Sequence, residues 1–255
     1  MNGELLNILT SILTLVVLFL TIKFLSSKLK FEKSELRFEN PRKDAILAIA
    51  IVLITFFLVF LAMYHGHEEE SPMPQLHEKR YTISGILNQI FFILIVSIPA
   101  FIYLLSKKPT PKSLGISRLN LKNSIMMGLI LSFILLLAEG KLTKLNTLTS
   151  NHFFALLYYT VIGFWEEIYF RGFLQLRMCA WLGEYRGFIL TSVIFGFSHL
   201  PQRLFVQKLD LITSVESAFF TIIPGFILGY LMLKTRNVVA PGIFHTFINF
   251  ANTIE

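Results

Sequence analysis

The sequence predicts an all-α protein, a bundle of about eight helices that spans a membrane. Of its 255 residues, 54% are hydrophobic and only 15% are charged, whereas soluble domains are roughly 25% charged. The apolar residues occur in runs of about 15 to 25, a length that crosses a hydrocarbon core as a helix. The alternation that marks membrane-spanning strands is missing. No linker divides the chain, so we expect a single integral membrane domain, residues 1–255.

The predicted spans follow the apolar runs in order along the chain. They cover residues 5–25, 45–64, 83–105, 124–139, 153–171, 188–200, 219–233 and 238–250. The first follows Met-Asn-Gly-Glu without a basic region, so we expect a membrane anchor and not a cleaved signal peptide. The last spans are short and contain polar groups, which is typical of helices that are buried in a bundle.

The positions of the basic residues predict how the chain is oriented in the membrane. With the N-terminus outside, the segments 23–43, 107–122, 171–186 and 234–236 lie inside and hold about 17 of the 23 lysines and arginines. We therefore expect a multi-pass protein of the cell membrane with both termini outside. This distribution also explains the net charge of +7 without a nucleic-acid partner, since no DNA- or RNA-binding motif is present.

Two glutamates and an arginine lie inside the fifth predicted span, in the sequence Trp-Glu-Glu-Ile-Tyr-Phe-Arg. Ionised side chains at membrane depth are unfavourable unless they are paired or solvated in a cavity, so they indicate a functional site. Neighbouring residues of a helix point about 100° apart, which gives Glu166 and Glu167 different partners. Glu167 precedes Arg171 by four residues, the spacing of an ion pair. Glu166 is then free to face a cavity as a candidate general base.

Two later spans each carry polar side chains that share a helical face. His199 follows Phe195 by four residues, and Asn249 follows His245 by four. Each also has an ordinary structural explanation, as a hydrogen-bonded core histidine or as a polar contact between helices. At about 1.5 Å per residue from the inner ends of the spans, Glu166 and His245 lie roughly 10 Å deep and His199 roughly 18 Å deep. We therefore expect a joint site nearer the cytoplasmic face.

These side chains have the chemistry of peptide hydrolysis. A carboxylate and an imidazole can deprotonate a water, while a second imidazole and an amide can stabilise the oxyanion of a tetrahedral intermediate. A site enclosed by helices limits access, which suits a substrate segment that is presented at the membrane.

The motifs Glu-Glu-x-x-x-Arg, Phe-x-x-x-His and His-x-x-x-Asn, in this order over residues 166–249, resemble the CPBP family of CAAX proteases and bacteriocin-processing enzymes, also called the Abi family. The resemblance implies a bundle with a conical intramembrane cavity, a glutamate-dependent endopeptidase and a peptide or protein substrate, possibly lipidated. The roles it implies are activation of water for Glu166 and His199, an oxyanion hole for His245 and Asn249, and support for Glu167 and Arg171.

The family has also been described as metalloproteases, and Glu166, His199 and His245 lie on three helices that could bring them to one zinc ion. We expect a site without a cofactor, because Asn249 is a poor zinc ligand but a good donor to an oxyanion. A second group of ligand-type residues, at 65–70 with His77, has loose spacing and is more typical of a solvated acidic loop.

Other functions fit the sequence less well. Asp44 and Asp210 lie at span edges or in loops, which disfavours an aspartyl protease. No His-Glu-x-x-His motif is present, and a serine site of Ser198 with His245 lacks a glycine at Leu200. The alternative from another class is a non-catalytic immunity or scaffold protein that binds a peptide in the same cavity. A transporter would be expected to show an internal repeat, and none is visible.

Overall fold

The structure is a computed structural model that describes residues 3–32, 38–66, 80–107 and 110–254. All regular structure in these ranges is helical, which confirms the all-α prediction. Ten α-helices are present there: α1 (Gly3–Lys28), α2 (Pro41–Gly66), α3 (Ile83–Val96), α4 (Ile98–Lys107), α5 (Leu121–Ala138), α6 (Ser150–Glu167), α7 (Leu176–Leu182), α8 (Glu184–Ser198), α9 (Leu211–Thr235) and α10 (Val239–Ala251). Most of the predicted acidic loop, residues 67–70 and His77, lies outside the described residues.

Four helical segments are long and apolar enough to cross a membrane, namely α2, α5, α9, and α8 with the turn that follows it. Helices α3 and α4 meet at a bend of 55° and count as a fifth crossing if they are taken together. The prediction of a multi-pass membrane protein is therefore supported. The count of eight crossings is not confirmed, since α10, for example, has only 13 residues.

Helix α9 is longer than the predicted span 219–233, because a polar residue begins it. Asp210 accepts hydrogen bonds from the backbone N–H groups of Ile212 and Thr213, which satisfies donors that have no partner within the helix. The helix then runs for 25 residues and contains Pro224 without ending there. The apolar run alone underestimated its length, since its first turns carry polar residues.

Two asparagines tie three connections together at one end of the bundle, which we call the basic end. The side-chain amide of Asn120, in the α4–α5 connection, donates to the carbonyls of Glu32 and Thr235, at 3.0 Å each. The amide of the buried Asn237 donates to the carbonyl of Ser117 at 2.7 Å. These bonds hold the α1–α2 and α9–α10 connections against the connection that leads into α5. They thereby fix where α10 enters the bundle.

The opposite end, which we call the open end, is formed by the ends of α2, α8 and α10 and the starts of α3, α6 and α9. Lys141, in the α5–α6 connection, donates to the carbonyl of Ile254 just beyond α10. The hydroxyls of Tyr81 and Tyr159 lie 2.8 Å apart. These contacts tie the connections of the open end to α6 and to the end of α10.

Glycines bring the later helices to backbone contact. A Cβ atom at Gly196 of α8 would lie 2.4 Å from the Ile222 side chain of α9. A Cβ atom at Gly163 of α6 would lie 3.0 Å from the backbone nitrogen of Thr246 in α10. Small residues at such crossings permit close helix packing in membranes. The close packing places the motif residues of α6, α8 and α10 within reach of one another.

Candidate active site

The first motif lies where the helix widens. Helix α6 ends at Glu167 and continues as a π-helix, Ile168–Gln175, before α7 begins. Such turns occur frequently at functional sites. The carbonyl of Leu114 packs against this segment so closely that a Cβ atom at Gly172 would lie 2.1 Å from its oxygen. The α4–α5 connection, at the basic end, therefore contacts the π-helix at Gly172. This residue lies six positions, or roughly 9 Å along the helix, beyond Glu166.

Glu167 and Arg171 form the ion pair that their spacing predicts. The distance between Arg171 Nε and Glu167 Oε2 is 3.1 Å, and neither side chain is exposed. No guanidinium N–H points directly at the carboxylate, so the contact is an ion pair and not an aligned hydrogen bond. The guanidinium carbon lies 4.6 Å from the centre of the Phe195 ring, a cation–π contact with the first residue of the second motif.

Glu167 has a second partner that its sequence position does not reveal. Its Oε1 atom lies 2.9 Å from Nδ1 of His245. An ionised carboxylate can only accept a hydrogen bond, so Nδ1 carries the proton. The predicted roles of the two glutamates are therefore incomplete, since Glu167 orients His245 of α10 in addition to pairing with Arg171. A contact between residues 78 positions apart leaves no signal in local spacing.

His199 is oriented in a similar way. Its Nδ1 atom lies 2.9 Å from the backbone carbonyl of Phe195, and a carbonyl can only accept, so Nδ1 is again the donor. The four-residue spacing of the second motif thus has a structural basis. Phe195 supplies the carbonyl that fixes the imidazole and the ring that covers Arg171.

Both imidazoles direct their other nitrogen toward Glu166. The distances from Glu166 Oε2 to His199 Nε2 and His245 Nε2 are 3.9 Å and 3.7 Å. This oxygen is buried and has no hydrogen-bond partner among the described residues. The separations are too long for direct hydrogen bonds. They leave room for a small molecule that can both donate and accept hydrogen bonds, such as water.

The site lies where two lobes of one cavity meet. The apolar lobe, of about 210 Å³, lies between α2, α3 and α6, and aromatic side chains line much of it. The polar lobe, of about 360 Å³, is lined by His245, Asn249 and other polar side chains. Glu166 and His199 line both lobes. The structure therefore gathers the four predicted catalytic residues at one cavity.

Both lobes extend from Glu166 toward the open end. The apolar lobe reaches Met63, near the end of α2, and the polar lobe reaches Asn252, just beyond α10. Toward the basic end, the carbonyl of Leu114 packs against Gly172. The floor of the cavity therefore lies nearer the basic end than its opening does, and the position of either relative to the cytoplasm stays a prediction.

Ser198, Asp44 and Asp210 each have a local structural partner. Ser198 donates its hydroxyl proton to the carbonyl of Phe195 at 2.6 Å, and its hydroxyl forms no hydrogen bond with His245 in the described part of the chain. Asp44 accepts a hydrogen bond from Tyr103 at 2.8 Å, and Asp210 caps α9 at the surface. These aspartates serve local structure in separate parts of the bundle.

The candidate zinc ligands lie further apart in this structure than the ligands of a bound zinc ion. Within the described ranges, no group of three histidine, cysteine, aspartate or glutamate residues is positioned to hold a metal ion. Bonds of about 2.0 to 2.1 Å would place the ligands of a tetrahedral zinc roughly 3.3 Å apart. The separations from Glu166 to His199 and His245 are 3.9 Å and 3.7 Å.

The fold and the site together define a class: a multi-pass membrane protein whose later helices enclose a cavity with a carboxylate and two imidazoles at its floor. Residues 148–251 match the family described as type II CAAX prenyl endopeptidase Rce1-like. The match covers about two fifths of the chain and all three motifs, and it confirms the resemblance to the CPBP family. At the level of the family, this part of the chain is similar to CAAX-type intramembrane proteases. No curated protein and no solved structure matches the chain.

Proposed function

We propose that the protein is an intramembrane endopeptidase of the CAAX prenyl protease-like type, which hydrolyses a peptide bond with water activated by Glu166 and His199. The observation that carries the proposal is the convergence of Glu166 Oε2 with the Nε2 atoms of His199 and His245, at 3.9 Å and 3.7 Å. A water among these groups donates to Glu166 and His199. Glu166 takes a proton as the water attacks, and it returns the proton to the leaving amine.

The charges of the site support the proposed role of His245 in the oxyanion hole. Donation from its Nε2 atom requires a proton there in addition to the proton on Nδ1, and the ring is then an imidazolium. Glu166 and Glu167 carry two negative charges against the one positive charge of Arg171. A positive charge on His245 balances this cluster, and Glu167 lies against its Nδ1 atom at 2.9 Å. Asn249 supplies a neutral donor one turn further along α10.

The substrate we propose is a peptide or a protein segment presented at the membrane. Aromatic rings of Trp165, Tyr169 and Phe170 line the apolar lobe, which suits an apolar side chain or a lipid group on the substrate. Processing of a bacteriocin precursor is one instance of such a reaction. Zinc remains the rival cofactor proposal, and removal of activity by a strong chelator with restoration by zinc would contradict the metal-free mechanism.

Trapping of the substrate tests the proposal against a protein that only binds peptides. Glu166→Gln preserves the shape of the side chain and removes the base. Membranes that contain this variant should retain intact peptide, identified by mass spectrometry, where the wild type yields cleaved fragments. Glu216→Gln makes the same chemical change at an exposed position of α9 and should behave as the wild type. Equal amounts of intact peptide and no fragments with all three proteins would favour the immunity or scaffold alternative.

The side of the membrane from which the peptide enters follows from the charge asymmetry. If the basic end faces the cytoplasm, as its lysines and arginines predict, the open end faces outside and the peptide enters from there. Cysteine labelling in a Cys179→Ser background tests this orientation. An impermeant reagent should label Thr143→Cys, exposed at the open end, in intact cells. It should label Lys112→Cys, exposed at the basic end, only after permeabilisation, and the reverse pattern would place the entrance in the cytoplasm.

A further inference from the structure

Two arginines line the polar lobe beside the proposed catalytic groups. Arg203 lies one turn beyond His199, since its backbone N–H donates to the carbonyl of that residue at 3.1 Å. Arg80 lies just before α3 and lines both lobes. Neither belongs to the three motifs, and the proposed hydrolysis of a peptide bond uses neither.

Within the described part of the chain, neither guanidinium is paired with a carboxylate. Nη1 of Arg203 donates to the side-chain oxygen of Gln207 at 2.8 Å, which fixes the plane of the guanidinium. Its Nε atom is buried and has no hydrogen-bond partner among the residues that the structure describes. A buried donor of this kind is unfavourable without an acceptor. An acceptor from the substrate would satisfy it.

The other polar side chains of the lobe indicate what kind of acceptor would bind there. Gln202, Asn249 and Asn252 contribute neutral amides, and Glu166 at the floor is the carboxylate that contacts both histidines. A planar guanidinium presents adjacent N–H groups that match the two oxygens of a carboxylate, and such charged hydrogen bonds are stronger than neutral ones. The lobe is therefore suited to a negatively charged, planar group on a peptide.

We propose that the polar lobe is a carboxylate subsite, in which Arg203, assisted by Arg80, binds a carboxylate of the peptide substrate. The inference rests on the proposed peptidase function and adds a rule of specificity: the bond that is cleaved lies within reach of a negative charge. That charge is the C-terminal carboxylate of the substrate or an acidic side chain near the cleaved bond.

Three versions of one peptide that the reconstituted wild-type protein cleaves test the rule. The first has a free C-terminal carboxylate, the second a C-terminal amide, and the third a C-terminal amide with aspartate as its last residue. We expect kcat/KM for the free acid to exceed that for the neutral amide roughly 10- to 100-fold, the effect of a hydrogen bond to a charged group. Efficient cleavage of the third peptide would identify a side-chain carboxylate as sufficient, and poor cleavage would identify the chain terminus as the group bound.

Variants locate the subsite. Arg203→Gln should bring the ratio of acid to amide cleavage close to one, Arg80→Gln should lower it less, and Arg203→Lys should retain part of it. Lys208→Gln removes one positive charge from an exposed position in the loop that follows and should leave the ratio unchanged. Equal cleavage of acid and amide by the wild type would overturn the carboxylate subsite and leave the peptidase intact. Failure of the wild type to cleave any membrane-presented peptide would instead overturn the proposed function.

Discussion

Helices α1–α5 and α6–α10 use their side chains differently. The first group exposes many large apolar side chains, such as Leu105, which is 79% exposed, as expected of helices that face lipid. The second group buries charged side chains, including Glu167 and Arg171 at 0% exposure. The comparison teaches that the later helices form a polar centre, while the earlier ones supply one wall of the apolar lobe.

The two groups are nevertheless joined at the site. Three aromatic residues of α6 and the π-helix make hydrogen bonds to the earlier helices. Tyr169 donates to the hydroxyl of Thr55 at 2.6 Å, and Trp165 donates to the hydroxyl of Ser97 at 2.9 Å. Tyr158 donates to the side chain of Gln89 at 3.1 Å. The earlier helices thus orient the segment that carries both glutamates, although they supply none of the proposed catalytic residues.

The largest effect on stability is expected from Arg171→Ala. The substitution leaves Glu167 buried without its counter-charge, and breaking a buried ion pair in this way costs about 3 to 5 kcal/mol. The free energy of unfolding, measured in detergent, should fall by that amount. Arg118→Ala removes an exposed arginine and should change it by less than about 0.5 kcal/mol. Similar small losses for both variants would show that the polar centre does not stabilise the later helices as described.

Asn249→Ala should lower turnover without a comparable loss of stability. If the amide donates to the oxyanion, its removal reduces kcat on the order of 100-fold or more. Asn151→Ala, an exposed position at the start of α6, is the matched control in the same cleavage assay. An Asn249→Ala variant with wild-type kcat would remove this residue from the oxyanion hole.

A smaller effect is expected where the earlier helices meet the site. Thr55→Val removes the acceptor of the Tyr169 hydroxyl and the donor to the carbonyl of Val96. The unfolding free energy should fall by about 1 to 2 kcal/mol. Thr143→Val, at an exposed position, should leave it nearly unchanged. An effect of Thr55→Val as large as that of Arg171→Ala would contradict the proposed division between the two groups of helices.

The sequence predicts those features that depend on local spacing. Four-residue intervals identified the Glu167–Arg171 pair and placed His199 beside Phe195, because helical geometry fixes which residues share a face. The all-helical membrane fold followed from composition and from the apolar runs. The family match, over residues 148–251, supports the interpretation of the three motifs in the same segment.

Features that depend on contacts between helices could not be predicted. The bond from His245 to Glu167 requires α10 to cross α6 at Gly163, and the pattern of apolar residues does not specify that crossing. The π-helix, Ile168–Gln175, accompanies the packing of Leu114 against the helix and has no periodic signature. The direction of the cavity likewise depends on which end of the bundle its connections close.

The most direct test of the account is the rate of peptide cleavage by purified, reconstituted Glu166→Gln protein. The substitution keeps the size of the side chain at the convergence of His199 and His245 while removing the carboxylate that accepts the proton of water. We predict that cleavage falls to the background rate while the melting temperature stays close to that of the wild type. The Glu216→Gln control should keep the wild-type rate, and undiminished cleavage by a folded Glu166→Gln protein would contradict the central claim.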